Sequence, residues 1–307
     1  MKRLLYIAFG ASLAATPALA VEDGLSPYAK GLAGFMSGMV PPEEGLYVND
    51  IYYYYSGSAG AEVRGGNVEL NVGVNLNVDL LQGVYVTDWH VLGATYAFSG
   101  AVGYAWAGLD ASVQSPLGTK QVSLNTADLA DSFIAPIILG WHDGDFHWNL
   151  AMNIYVPTGA YDKNQLSTGK NIWGFMPQFG LTYFDPKSGL DVSGTLVYVT
   201  MTNNDATQYQ SGDLLHFDWA VGEHFGAHEE WEAGVVGNLV QQVSGDRGAG
   251  AKLGSFEAQS YGVGLGASYS TKLGGLPASF GVKWEHDVEA SNTFKGDVVT
   301  ASATFKF

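Results

Sequence analysis

Residues 297–307 read Asp297-Val298-Val299-Thr300-Ala301-Ser302-Ala303-Thr304-Phe305-Lys306-Phe307. Counted back in twos, Phe307, Phe305, Ala303, Ala301 and Val299 share one face, and Lys306, Thr304, Ser302, Thr300 and Val298 share the other. Side chains alternate along a strand, so this is a strand with one mostly apolar face and one mostly polar face. An edge strand of a soluble sandwich would leave the terminal aromatic in water. As the closing stave of a barrel in a bilayer, the same Phe307 sits at the membrane interface.

The other end of the chain carries a targeting pattern. Lys2 and Arg3 precede a short apolar run, Leu4 to Ala15, and Ala18-Leu19-Ala20 is a small-x-small cleavage site followed by acidic Glu22 and Asp23. This is the layout of a secretory signal peptide over residues 1–20, with the mature chain expected to start at Val21. No later stretch approaches about eighteen unbroken apolar residues, which weighs against an inner-membrane helical protein. The chain has no cysteine, so stability in an oxidising compartment rests on packing and backbone pairing. Charged residues are 14%, below the usual quarter, whereas glycine numbers 41 and aromatics make up 13%. That mix suits a barrel showing an apolar band to lipid. Loss of residues 1–20 leaves 12 basic against 30 acidic residues, a net charge of −18. Such a balance argues against nucleic acid as a partner.

Residues 21–44 form no good strand. They are rich in glycine and small residues and close on Pro41-Pro42-Glu43-Glu44. A short helix over 29–39 fits the apolar spacing but is weakened by Gly31, Gly34 and Gly38. Leu32, Phe35, Met36 and Met39 need burial, which fits a compact plug in a barrel lumen; a flexible leader is the alternative. From Gly45 to Phe307 the chain reads as strands. Residues 67–80 alternate most strictly. Val68, Leu70, Val72, Val74, Leu76, Val78 and Leu80 form one face, expected toward lipid, and Glu69, Asn71, Gly73, Asn75, Asn77 and Asp79 the other, expected toward the lumen. Similar alternation recurs in 146–156, 215–221, 261–269 and 280–285.

Short polar turns near 87–90, 142–145, 185–189, 223–229 and 272–276 alternate with generally longer polar stretches near 57–66, 115–130, 158–172, 202–212, 245–255 and 291–296. Six longer loops and five short turns join twelve strands with both termini on the short-turn side, the outer-membrane arrangement. The expected fold is therefore all-β: a transmembrane antiparallel up-and-down barrel of about twelve strands, with an N-terminal plug segment. Trp89, Trp141, Trp148, Tyr183, Trp219 and Trp231 lie near short turns and would form an aromatic girdle.

The stretch Gly31–Tyr55, GLAGFMSGMVPPEEGLYVNDIYYYY, resembles the outer-membrane family named after the meta-pathway of phenol degradation, which includes proteins like the sphingosine-induced outer-membrane protein. Leu81-Gln82-Gly83-Val84-Tyr85, Tyr155-Val156-Pro157-Thr158-Gly159-Ala160-Tyr161 and the terminal phenylalanine are similar too. The resemblance implies a β-barrel and the passage of aromatic or other hydrophobic molecules across the outer membrane. It carries over no functional residues.

The expected lumen-lining set is Glu69, Asn71, Asn75, Asn77, Asp79, Asn149, Asn153, Asp191, His216, Asp218, Glu232, Asn238 and Glu285, with Lys283 and Lys306 as the few cations. An amide-rich, acidic lumen disfavours anions and suits cations or neutral solutes; the same side chains would otherwise bond one another and fill the interior. No cofactor or metal is expected. His90, His142, His147, His224 and His228 near short turns read best as solvated turn residues. A barrel lipase would need a serine, a histidine and an acid or amide meeting on the wall. His216 and His286 are the candidate bases, but no serine is assigned to either. The favoured function is an outer-membrane channel for small hydrophobic or aromatic molecules, neutral or cationic, not an enzyme. A structural or adhesive barrel with a filled lumen is one alternative, and a membrane-embedded barrel lipase is another. The expected partners are outer-membrane lipid, the barrel-assembly machinery through Phe307, and a small hydrophobic solute.

Overall fold

The computed structural model describes residues 19–63, 68–116, 118–252 and 254–307. Residues 1–18, which hold most of the expected signal peptide, lie outside them. The strands are β1 (Gly45–Val63), β2 (Val68–Val91), β3 (Ala94–Ser115), β4 (Gly118–Leu129), β5 (Ser132–Asp143), β6 (Phe146–Val156), β7 (Gly174–Asp185), β8 (Leu190–Met201), β9 (Leu214–Phe225), β10 (Trp231–Gln242), β11 (Gln259–Leu273), β12 (Leu276–Ser291) and β13 (Lys295–Lys306). Twelve of them, all but β4, form a closed antiparallel ring. The last strand closes it. β13 pairs with β1 from Tyr47 opposite Lys306 to Ser58 opposite Lys295. Phe307 N donates to Leu46 O at 2.8 Å, and Leu46 N donates to Phe307 O at 3.3 Å. Closure leaves no strand edge unpaired around the ring, which hydrocarbon demands.

Residues 57–63, expected as loop, belong to β1, and a second expected loop is a strand. β3 pairs with β5 over Thr95–Ala101 and with β4 over Tyr104–Ser115. β4 and β5 thus share one stave, broken at Ala130-Asp131, where a loop was expected over 115–130. Thr119, Lys120, Gln121, Ser123, Asn125 and Thr126 hide the strand by making both of its faces polar, and all but one of the β4 residues are exposed.

The facing of β2 is the reverse of the expectation. Val74 is buried, and Leu76, Val78, Leu80 and Val84 line the lumen. Asn71, Asn75 and Asp79 are exposed on the outside. Asn77 accepts a bond from the outward Tyr52 hydroxyl at 2.6 Å, and Glu69 shares their face. The reason is length. β2 has 24 residues, whereas about ten cross a bilayer. The ends of β1 and β2 past Ser58 and Gly73, and the end of β3 with β4, run past their neighbours β13 and β5 as a four-stranded sheet. Its outer face carries Asn71, Asp110 and Ser123, continuing Asn75 and Asp79 below it, and Val74, Leu76 and Leu109 turn inward. Elsewhere the facing is as read. Phe217, Val263, Leu265, Val282 and Trp284 are exposed, and Asp218, Glu285 and Thr300 are buried.

Two measurements check this wall. Leu265→Arg places a charge on a side chain that is 61% exposed outward, and it should cost about 2–4 kcal/mol of unfolding free energy in lipid vesicles. Asn75→Arg should cost well under half of that, because the outer face around it already carries Asn71, Asn77 and Asp110; equal losses would refute the assigned facing. Deleting Phe307 removes the two end bonds of the seam and the terminal aromatic. The folded fraction, read by heat-modifiable gel mobility, should fall, and an unchanged fraction would refute a closing role.

Candidate functional site

Residues 25–44 contain turns but no helix or strand, so their N–H and C=O groups need partners from elsewhere. The wall supplies them. Asp218 on β9 accepts from Gly31 N and Ala33 N, each at 3.0 Å, and from the Tyr28 hydroxyl at 2.9 Å. Asp191 on β8 accepts from Met36 N at 2.8 Å. Thr182 on β7 accepts from Gly38 N at 2.9 Å, and Asn149 on β6 donates to Ser37 O at 2.9 Å. Lys283 on β12 donates to Gly31 O at 2.6 Å, to Leu32 O at 3.1 Å and to Ala33 O. Lys30 reaches the other way, onto Asp287 at 2.7 Å. Burial pushes the Lys30 ammonium below its ordinary pKa, and the Asp287 carboxylate opposes that shift. Contacts from five strands around the ring put this segment in the lumen.

The expected helix over 29–39 does not form. Gly31 and Met36 both take positive φ, 70° and 51°, which interrupts a right-handed helix. Instead the segment lies close against the wall. A Cβ at Gly222 of β9 would stand 2.8 Å from the Phe35 ring, so the bare glycine makes room for that side chain. Leu32 packs against a buried cluster that includes Tyr28, Tyr155 and Met176. Met36 and Met39 are half-buried and line the remaining space.

That space is a cavity of about 1170 Å³. Its apolar wall is Leu76, Val78 and Leu80 of β2, Ala105 of β3, and Phe133 and Ile138 of β5. The polar wall is elsewhere. Asp191, His216, Asp218, Glu232, Asn238 and Glu285 are all buried, on β8, β9, β10 and β12. Asn238 donates to Glu285 at 2.7 Å. Of the sequence-selected residues, Asn149 and Asn153 on β6 and His216 and Glu232 touch the cavity, whereas Asp191, Asp218, Asn238 and Glu285 lie outside its lining. The structure thus brings together the selected residues of β6, β8, β9, β10 and β12, and it separates from them the β2 group, Glu69, Asn71, Asn75, Asn77 and Asp79. The apolar lining was missed because β2 was read inside out; its interruption at Gln82, which also lines the cavity, is the available signal.

Among the described residues, neither strand histidine is shown between a serine and an acid. His216 Nε2 lies 3.0 Å from Ser26 Oγ, but its Nδ1 has no partner, so no acid orients the ring as a base. His286 meets Asp297 at 3.0 Å on the outer surface. Among the described residues no group of three or more His, Asp or Glu side chains is arranged to hold a metal ion.

A closed ring with an apolar exterior and a lumen occupied from its own N-terminal side defines a β-barrel of the bacterial outer-membrane type. The family model described as putative MetA-pathway of phenol degradation matches residues 57–303, and the chain belongs to that family. An outer membrane channel from Pseudomonas putida F1 has the same fold, with a TM-score of 0.64, 12% identity, and coverage of 88% of this chain and 97% of that one. The transport unit of the Escherichia coli autotransporter AIDA-I aligns with a TM-score of 0.45 at 11% identity, over 87% of this chain and 91% of that one. A Pseudomonas aeruginosa FadL homologue aligns at 0.37 and 10%, over 86% and 90%. No curated protein matches the chain.

Asp218→Ala removes one acceptor from three donors of the segment, at about 1–3 kcal/mol for each donor left buried and unpaired. Limited proteolysis should then cut within residues 25–40 while the barrel keeps its heat-modifiable mobility. Continued protection of the segment would show that Asp218 does not hold it.

Proposed function

We propose that this barrel is an outer-membrane channel for small hydrophobic or aromatic molecules, neutral or cationic, with residues 21–44 as its plug. The observation that carries this reading is the apolar cavity wall opposite the segment, formed by Leu76, Val78, Leu80, Ala105, Phe133 and Ile138. A lumen meant for hydrated solutes is lined by polar side chains. Here one side of the open space is apolar, whereas the other carries Asn149, Asn153, Gln178, His216 and Glu232. Membership of the phenol-degradation family is consistent with such solutes. On this reading the leader 1–20 directs export, the terminal Phe307 is presented to the assembly machinery, and the exposed outer band contacts membrane lipid. A second reading, a filled structural barrel, draws on the same hydrogen bonds: a segment so fully bonded also suits permanent occupancy.

Liposome uptake separates the two readings. The mature protein should admit a small neutral aromatic more than about tenfold faster than a small sugar, and removal of residues 21–44 should admit the sugar as well. Leu76→Asp with Val78→Asp should slow the aromatic and spare the sugar in the shortened protein. If neither protein passes either solute, the lumen is structural.

A further inference from the structure

We infer that cleavage between Ala20 and Val21 turns the Val21 amine into one half of a buried ion pair with Asp246, a latch that seats residues 21–44 at the long-loop end of the lumen. The inference rests on cleavage before Val21 and is independent of which solute passes.

Val21 N lies 3.0 Å from Asp246 Oδ2. Asp246, in the loop between β10 and β11, is 4% exposed. It also accepts from the Tyr209 hydroxyl at 2.6 Å, from Gly212 N at 2.9 Å and from Gln242 Nε2 at 2.8 Å. All four donors are neutral in the uncut chain, and among the described residues no Lys, Arg or His forms an ion pair with Asp246. A carboxylate buried without a cation is costly, and one opposite charge at hydrogen-bond distance relieves it. Glu22 and Asp23 follow directly and add negative charge. The neighbouring Lys170 Nζ donates to the Glu22 carbonyl at 3.2 Å.

The backbone points the same way. Val21 has φ 66°, an outlier for a β-branched residue. With the peptide bond to Ala20 gone, Val21 has no φ, and the strain disappears. Hydrolysis of that amide by a signal peptidase adds one water. The C–N bond breaks, Ala20 leaves with the leader as a carboxylate, and Val21 keeps the amine. Free α-amino groups titrate near 7.7–8.0, and an adjacent carboxylate favours the charged form, so the amine takes up the proton released by the new carboxyl.

Order of events follows from burial and position. Ala20 and Val21 are 0% and 4% exposed, so the bond is closed to a protease once the segment is seated. Val21 stands at the long-loop end, whereas the segment joins the wall at Gly45 on the short-turn end. A retained leader would have to pass the whole lumen. Cleavage therefore comes first, and the cut end then docks.

The test uses the purified mature protein in detergent. N-terminal mass analysis should find Val21 first. Brief acetylation with an N-hydroxysuccinimide ester, read by peptide mass spectrometry, should modify the Val21 amine at least about tenfold more slowly than the exposed Lys187, because reaction must await local opening. Asp246→Asn should abolish that protection at unchanged barrel mobility, and Asp246→Glu should retain it. An alanine inserted between Ala20 and Val21 displaces the charge by one residue and should also expose the amine, which covers the case of Asp246→Asn failing to fold. A mature start elsewhere, equal reactivity of Val21 and Lys187, or full protection in folded Asp246→Asn would each overturn the latch.

Discussion

A strand in hydrocarbon can satisfy its backbone only on another strand, and that requirement shapes the molecule from the seam between β1 and β13 outward. The twelve pairs from Tyr47–Lys306 to Ser58–Lys295 join the two ends of the sheet, and the other staves follow as hairpins. The seam also fixes where the N-terminal segment enters. Gly45 takes φ 150°, and a Cβ there would stand 2.8 Å from Phe307 O. The chain therefore turns from the lumen into the wall against the last residue of β13, a place with room for glycine alone.

Closing the ring creates an interior that must itself be satisfied. Around β6–β12 the inward positions carry Asn149, Thr182, Asp191, Asp218 and Lys283, and each bonds the backbone of residues 31–38. The exchange is reciprocal. Lys283 crosses from wall to segment, and Lys30 crosses from segment to wall. An irregular ribbon is tolerated at membrane depth because protein, rather than lipid, surrounds it. On β2, β3 and β5 the inward Leu76, Val78, Leu80, Ala105, Phe133 and Ile138 are apolar and border the cavity, whereas the inward Tyr53 of β1 donates to Lys30 O at 3.3 Å.

How much of this was legible in sequence depended on whether a strand's outside meets lipid. For β9, β11, β12 and β13 it does, and the apolar face is the outer one: Phe217, Leu265 and Trp284 are exposed, and Asp218 and Glu285 are buried. For β2 the outer face carries Asn71, Asn75 and Asp79, and alternation gives two faces without saying which is inside. β4 failed for a related reason. With water on one side and little to cover on the other, it needs no apolar face, and a polar strand resembles a loop. The polar docking residues on β6, β8, β9, β10 and β12 were visible as lumen-facing groups, but their partners were not, because a backbone N–H leaves no mark in the side-chain pattern.

The same division changes what the acidic lumen means. Read from sequence, inward carboxylates repel anions from a pore. In the fold, Asp218 is capped by three neutral donors of the segment, and Asp287 is paired with Lys30 at 2.7 Å. A charge paired as closely as Asp287 casts little field into the space beside it. The open space beside them is bordered on one side by Leu76, Val78 and Phe133, which carry no charge at all.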